Sequence, residues 1–85
     1  MSQARISQND YTYVDYIVSH ESGWNPDATN ISSGAHGLPQ ALPYAKTGCE
    51  WSDPICQLRW ANSYATERYG SWYQAYNFWL TNRWW

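Results

Sequence analysis

Glu21 is the residue in this 85-residue chain whose setting best suits acid chemistry. It follows Val14 by seven residues and Ile17 by four, the spacing that places side chains on one face of a helix. Apolar surroundings disfavour the carboxylate anion, so a Glu on this face is expected to have a raised pKa and to donate a proton near neutral pH. Gly23 suits the left-handed conformation that ends helices, and Pro26 prevents continuation. The sequence therefore predicts a general acid in the last turn of a helix.

The segments around this acid alternate between helix and loop. The first helix is predicted to begin at Ser7, an N-cap whose hydrogen bond Asp10 can return three residues later. Residues 24–36 are rich in Asn, Asp, Ser, Thr and Gly, which predicts a loop with room for a short hairpin. A short helix is predicted to begin near Pro39, because proline is tolerated in a first turn, and to end at residues 47–49.

Two further helices have clear starts. Asp53 is expected to be an N-cap with Pro54 at the first helical position, and Gly70 ends that helix. Ser71 is expected to cap the last helix, with Gln74 completing a capping box. No segment alternates convincingly with the period of a strand, and neither repeats nor linkers are evident, so the predicted fold is a small all-α domain. The predicted inner faces are Ile55, Leu58, Ala61, Asn62, Ala65 and Tyr69 in one helix and Trp72, Ala75, Tyr76 and Trp79 in the other.

Composition excludes several classes of partner. The formal net charge is −2 with five Lys and Arg residues, so no basic surface for nucleic acid or for an anionic membrane is expected. The apolar runs are too short to span a bilayer. The first residues lack the apolar region of a signal peptide, which favours a domain excised from a larger exported protein or one released by another route. Most of the seven Trp and eight Tyr rings are expected in the core, and the remainder could line a cleft.

Cys49 and Cys56 are the only cysteines. Two thiols cannot close a zinc site, and His20 and His36 are not spaced to complete one, so no metal is expected. A disulfide between them would close a loop of about eight residues and stabilise the fold by roughly 2–3 kcal/mol. Such a bond suits a small domain outside the cytosol, and two free buried thiols are the alternative.

Three ordered motifs resemble soluble lytic transglycosylase domains, which share the lysozyme-like fold with goose-type lysozymes. Glu-Ser-Gly-Trp-Asn-Pro at 21–26 is followed by Gly-Ala-His-Gly-Leu-Pro-Gln at 34–40 and later by Ala-Tyr-Asn at 75–77. Arg-Tyr-Gly-Ser-Trp at 68–72 is also similar to short lysozyme-like domains at the C-termini of Gram-positive wall-associated proteins. The resemblance implies a lysozyme-like helical domain over residues 11–85 with one active-site cleft, preceded by a lead-in at residues 1–10.

The resemblance implies a role for particular residues. Glu21 would be the catalytic acid, Gln40 would line the sugar subsite beside the scissile bond, and Tyr76 would approach Glu21 from the last helix. Asn77, Ser33 and Trp24 are the other predicted substrate-binding residues. Two positions depart from the family pattern: Ile31 stands where a Ser is common, and Pro39 where a large apolar residue precedes the Gln.

The expected substrate is the glycan strand of bacterial peptidoglycan, cleaved at the β-1,4 bond between N-acetylmuramic acid and N-acetylglucosamine. A lytic transglycosylase needs no second acid, because the muramyl 6-hydroxyl attacks the anomeric carbon. Asp27 is the one loop carboxylate near Glu21 in sequence, and hydrolysis with such a partner remains open. Two other hypotheses remain: a cell-wall-binding module with little activity, and a protein-binding aromatic surface. No cofactor is expected, and the domain is expected to be a monomer, extracellular or in the cell wall, within an exported or phage-associated protein.

Overall fold

The computed structural model describes residues 4–85, which form three α-helices and two 3₁₀ helices. The α-helices are α1 (Tyr11–Ser22), α2 (Pro54–Tyr69) and α3 (Trp72–Asn82). The 3₁₀ helices are Gln8–Asp10 and Tyr44–Thr47. Within residues 4–85 the only β pairing consists of isolated bridges, so the predicted all-α class is confirmed. No helix in this range is long and apolar enough to cross a membrane.

The core lies where α3 packs against both α1 and α2. Each helix contributes a stripe of buried apolar side chains, and Trp72 also donates a hydrogen bond from Nε1 to Asn62 Oδ1 at 2.8 Å. Ala4 and Ile6, ahead of the first 3₁₀ helix, are buried in the same core. The stripes are Val14, Ile17 and Val18 in α1, Leu58, Ala61 and Ala65 in α2, and Trp72, Ala75 and Trp79 in α3.

Most predicted helix ends are confirmed. The Asp53 side chain accepts a hydrogen bond from the Cys56 amide at 3.1 Å, and Ser71 accepts one from the Gln74 amide at 3.1 Å. Gly23 and Gly70 end α1 and α2 in the left-handed conformation, with φ of +63° and +92°. Side-chain oxygens therefore fix where α2 and α3 begin, and glycines fix where α1 and α2 end.

The predicted start of the first helix is wrong by several residues. Ser7 Oγ accepts a hydrogen bond from the Asn9 amide at 3.3 Å and so caps the 3₁₀ helix, whereas α1 begins at Tyr11. Asp10 is the N-cap of α1 and makes no side-chain capping bond there. The capping pattern therefore marks a 3₁₀ turn that leads into α1.

The predicted helix at residues 38–45 is also wrong. His36 and Ala41 exchange backbone hydrogen bonds at 3.2 and 3.1 Å, so the chain turns between them, and the only helical segment here is the 3₁₀ helix Tyr44–Thr47. The residue before a proline is disfavoured in helical conformation, and two prolines within five residues leave no room for a regular helix. The predicted end is correct, because Gly48 terminates the 3₁₀ helix at a φ of +69°.

Cys49 and Cys56 form the predicted disulfide, so neither is a free thiol. The bond joins the start of the loop that follows the 3₁₀ helix Tyr44–Thr47 to the first turn of α2. It therefore connects the irregular middle of the chain directly to the helical core.

Reducing this disulfide is expected to lower the free energy of unfolding by about 2–3 kcal/mol, because the unfolded chain regains the entropy of an open loop. Urea unfolding with and without a thiol reductant measures the difference. A variant carrying both Cys49→Ser and Cys56→Ser should match the reduced wild type and should not respond to reductant. Equal midpoints for the reduced and oxidised wild type would contradict the expectation.

Candidate active site

Glu21 occupies the last turn of α1, one residue before the helix ends. Its side chain is half-buried, and the residues seven and four positions earlier, Val14 and Ile17, are fully buried beneath it. Trp79 of α3 donates a hydrogen bond from Nε1 to Glu21 Oε2 at 2.9 Å. The carboxyl group therefore lies at the contact between α1 and α3, with one oxygen fixed by an indole.

Burial raises the pKa of Glu21 above its ordinary value of 4.5. The hydrogen bond from Trp79 and the charge of His20 act in the opposite direction, because both favour the carboxylate, but burial is the largest effect. The predicted apolar setting and its consequence for the pKa are both present. A carboxyl of this kind keeps its proton to higher pH than an exposed Glu and is suited to donate it to a substrate.

An aromatic cluster on α1 and α3 holds Trp79 in place. His20 stacks on Tyr16 with ring centroids 4.1 Å apart, and both rings contact Trp79, at 4.8 and 5.5 Å. His20 Nδ1 also lies 2.7 Å from the Tyr16 carbonyl oxygen. Tyr76 packs edge-on against Tyr16, with ring centroids 5.0 Å apart, and in a tilted arrangement against Tyr13, at 5.2 Å. The indole that bonds Glu21 is thus surrounded by rings that restrict its rotation.

Trp79 is a site residue that sequence reasoning missed. Its spacing predicts a place in the buried stripe of the last helix, with a ring that could also stack on a sugar, whereas Trp24 and Tyr76 are the expected neighbours of Glu21. Trp79 follows Tyr76 by three residues and so lies on the same face of α3 one turn later. The signal that could have found it is this spacing, together with an indole N–H that needs an acceptor when buried.

Gln40 lies in the turn between His36 and Ala41, with a φ of +54°. Its Nε2 donates hydrogen bonds to the carbonyl oxygens of Ala28 and Gly37, both at 2.9 Å. The two amide hydrogens are therefore used to hold the loop together. The Gln40 atom that remains available to a ligand is the carbonyl Oε1, which accepts hydrogen bonds.

Trp24, Ser33 and Asn77, the other predicted substrate-binding residues, differ in their exposure and in their hydrogen bonds. Trp24 is half-buried and donates from Nε1 to Asp15 Oδ1 at 2.7 Å, so its ring lies against α1. Ser33 is exposed, and its Oγ accepts from the Ala35 amide at 3.2 Å. Asn77 is exposed on α3, two residues before Trp79. The structure therefore joins Trp79 to Glu21 by a hydrogen bond, and leaves Ser33 and Asn77 accessible to a ligand.

A buried amide, Gln57 of α2, anchors the loop that carries Gln40. Gln57 Oε1 accepts from the Leu38 amide at 2.9 Å, and Nε2 donates to Tyr44 Oη at 3.0 Å and to the Pro26 and Trp51 carbonyl oxygens at 3.2 Å. Its side chain is fully buried. Four residues of the irregular segment therefore meet at one side chain.

Gly37 and His36 complete this anchor. Gly37 has a φ of +86°, and a Cβ there would lie 2.8 Å from Gln57 Cδ, so only glycine fits without displacing the buried amide. The His36 ring is buried, stacks on Trp51 with centroids 3.4 Å apart, and places Nε2 2.7 Å from the Trp51 carbonyl oxygen. Both residues therefore hold the loop in place.

The carboxylates nearest to Glu21 in sequence are exposed and hydrogen-bonded elsewhere. Asp27 accepts a hydrogen bond from Ser52 Oγ, and Asp15 accepts from Trp24 and from Ser19 Oγ. Among residues 4–85 no group of three His, Cys, Asp or Glu side chains is placed to hold a metal ion. Glu21 is thus a carboxyl group whose burial raises its pKa, at the contact between α1 and α3.

Comparison with family models matches residues 2–79 to the family described as transglycosylase SLT domain. The chain belongs to this family. No protein of curated function and no solved structure matches the chain. Membership makes the domain a lytic transglycosylase or closely related glycosidase with a lysozyme-like helical fold, and peptidoglycan is the substrate that the family implies. The resemblance read from the three motifs is therefore confirmed.

Replacing Trp79 by Phe is expected to raise the pKa of Glu21 further, because the variant removes a hydrogen bond that favours the carboxylate and leaves the burial in place. An NMR titration of the Glu21 side-chain carbon measures the change in both proteins. Tyr73→Phe, an exposed substitution on α3, is the control and should leave the titration unchanged. A Glu21 pKa that falls or stays constant in the Trp79 variant would contradict the assignment.

Proposed function

We propose that this domain cleaves the β-1,4 bond between N-acetylmuramic acid and N-acetylglucosamine without water, leaving a 1,6-anhydro-muramyl end, and that Glu21 is its catalytic residue. The observation that carries the proposal is the setting of Glu21. It is half-buried at the end of α1, has a raised pKa and is held by Trp79, whereas Asp15 and Asp27 are exposed and engaged in other hydrogen bonds. One protonated carboxyl is what this reaction requires.

The proposed reaction begins with proton transfer from the Glu21 carboxyl to the glycosidic oxygen. The bond between that oxygen and the muramyl C1 breaks, the N-acetylglucosamine leaves with a 4-hydroxyl, and positive charge develops at C1 and the ring oxygen. The muramyl O6 then attacks C1 while the Glu21 carboxylate takes the proton of the 6-hydroxyl. The anhydro ring closes and Glu21 regains its proton, so atoms and charges balance with no water consumed.

The neighbouring residues have supporting roles in this proposal. Trp79 fixes one oxygen of Glu21 and leaves the other for the substrate. Gln40 Oε1 accepts a hydrogen bond from an N–H or O–H of the sugar, because its amide hydrogens are already used. Tyr76, Asn77, Ser33 and Trp24 are proposed to contact the glycan as well. The disulfide fits a protein that works outside the cytosol, in the cell wall or in an exported or phage-associated protein.

Product analysis tests the proposal. Purified peptidoglycan is digested with the domain, and the masses of the soluble muropeptides are measured by mass spectrometry. The expected muramyl ends are lighter by one water than the ends that a hydrolase releases, and they resist borohydride reduction. Reducing muramyl ends would show hydrolysis instead. Binding to cell walls with no release of soluble fragments would favour a wall-binding module.

A further inference from the structure

A pocket of about 290 Å³ is formed by the loop around Gln40, the outer face of α2 and the last residues of the chain. Glu21 is not among the residues that line it, and the reaction proposed above makes no use of its charged side chains. We call it the cationic pocket. The residues that characterise it are Leu42, Lys46, Trp60, Tyr64, Arg68 and Trp84.

The charged side chains that line the pocket are both positive. Lys46 and Arg68 are two of the five Lys and Arg residues in a chain of net charge −2, and no Asp or Glu lines the pocket. Both side chains are exposed, so neither charge is consumed by burial. An anionic group is therefore the complementary ligand.

Aromatic rings hold both cations from beneath. Lys46 Nζ lies 5.4 Å from the centre of the Trp60 ring and 5.6 Å from that of Tyr64. Arg68 Cζ lies 5.7 Å from the Tyr64 ring and 5.6 Å from the Trp84 ring. These contacts restrict the long side chains and leave N–H groups directed away from the rings for an anion.

The remaining wall is apolar and open to solvent. Trp84 is 51% exposed and Leu42 is 49% exposed, which is high for such side chains. A ligand that matches the pocket therefore combines a negative charge with small aliphatic groups. A neutral sugar could stack on the rings but would supply no anion for either cation.

We propose that the cationic pocket binds the stem peptide of peptidoglycan through a peptide carboxylate. This proposal rests on peptidoglycan as the substrate in the proposed function. The β-1,4 glycan backbone carries hydroxyl and acetamide groups, whereas the carboxylates and the alanine methyl groups belong to the peptides attached to the muramyl residues. Gln40 lines the pocket and is also the proposed sugar ligand, so a peptide hanging from a muramyl residue bound at Gln40 begins at the edge of the pocket.

Binding by the wild-type domain tests the proposal without any catalytic step. Three probes are titrated and followed by the indole N–H signals in NMR: a synthetic stem pentapeptide with free carboxylates, the same peptide with every carboxylate amidated, and a glycerol phosphate oligomer. The free-acid peptide should bind with a Kd about tenfold or more below that of the amidated peptide and should shift the Trp60 and Trp84 signals. Equal affinity of the acid and the amide, shifts confined to other indoles, or a preference for the phosphate oligomer would overturn the assignment.

Charge-removing variants give a second measurement. A protein with both Lys46→Met and Arg68→Met should bind the free-acid peptide about tenfold more weakly. Arg59→Met, an exposed substitution on α2 that lines a different pocket, is the matched control and should bind as the wild type does. Unchanged affinity in the double variant would overturn the proposal.

The two proposals fail separately. Digestion of intact peptidoglycan tests cleavage, through the anhydro ends described above, and the peptide titration tests the pocket. Anhydro ends without stem-peptide binding would remove the cationic pocket as a subsite and leave the reaction intact. Stem-peptide binding with reducing ends, or with no cleavage, would keep the pocket and reject the proposed reaction.

Discussion

Replacing Glu21 by Gln is expected to lower the release of soluble muropeptides from peptidoglycan by at least about 10²-fold, the usual contribution of a positioned proton donor. The amide keeps the size of the carboxyl but cannot give a proton to the glycosidic oxygen or take one from the 6-hydroxyl. The rate is measured by chromatography of the soluble fragments at several times of digestion.

The fold should survive this change, because Trp79 Nε1 can donate to the Gln oxygen as it does to Glu21 Oε2. Binding to insoluble cell walls should therefore persist. Glu67→Gln, an exposed substitution on α2, is the matched control and should leave the rate unchanged. A Glu21 variant that retains more than about a tenth of the activity would exclude Glu21 as the general acid.

The same variant has a measurable effect on stability. Because the pKa of Glu21 is raised on folding, the folded state binds more protons than the unfolded state at any pH between 4.5 and the folded-state pKa. The free energy of unfolding therefore falls as the pH rises through that range. Gln does not titrate and avoids this loss. The melting temperature of the variant should therefore rise relative to that of the wild type as the pH increases above 4.5, and the relative gain should be smallest below pH 4.5. A gap independent of pH would contradict the raised pKa.

Replacing Gln57 by Leu is expected to lower the free energy of unfolding by about 2–4 kcal/mol, because the Leu38 N–H and the Pro26 carbonyl lose a buried partner and each such group costs roughly 1–3 kcal/mol. A domain of this size has a total stability of only about 4–13 kcal/mol. The melting temperature should fall by about 10–25 °C, as measured by circular dichroism.

Gln8→Leu makes the same chemical change at an exposed position of the 3₁₀ helix Gln8–Asp10 and should shift the melting temperature by only a few degrees. Hydrogen exchange in the Gln57 variant should accelerate mainly between residues 24 and 52, where the lost hydrogen bonds lie. A small stability change together with unaltered exchange in that segment would show that other contacts hold the loop.

The helices could be predicted because their signals are local. An Asp-Pro start, a Ser cap and glycines at the ends act on neighbouring backbone groups, and buried stripes follow from the helical period. The position and setting of Glu21 follow from the same spacing. The hydrogen-bond partner of Glu21 could not be predicted in this way. Whether Tyr76 or Trp79 reaches Glu21 depends on the angle at which α3 crosses α1, and the period of one helix does not determine that angle.

The loop between α1 and α2 could not be predicted for a different reason. Its shape depends on Gln57 and on the stacking of His36 with Trp51, contacts between residues up to 31 positions apart. Local composition predicted an irregular segment and its turns, and the tolerance of a first-turn proline led to a helix that the chain does not form. Burial of one amide of α2 decides the path of the chain, and nothing in the residues next to Gln57 marks it for that role.

The position of Glu21 at the carboxyl end of α1 has a further electrical consequence. Peptide dipoles of a helix sum to about half a negative charge at this end, so the last turn repels an anion within it. Under the proposed reaction, Glu21 becomes an anion as soon as the glycosidic bond breaks, and the carbonyl groups of α1 then favour its return to the neutral form. The 6-hydroxyl of the same sugar supplies the proton. The backbone that disfavours the anion would thereby favour the second half of the cycle, in which Glu21 acts as a base.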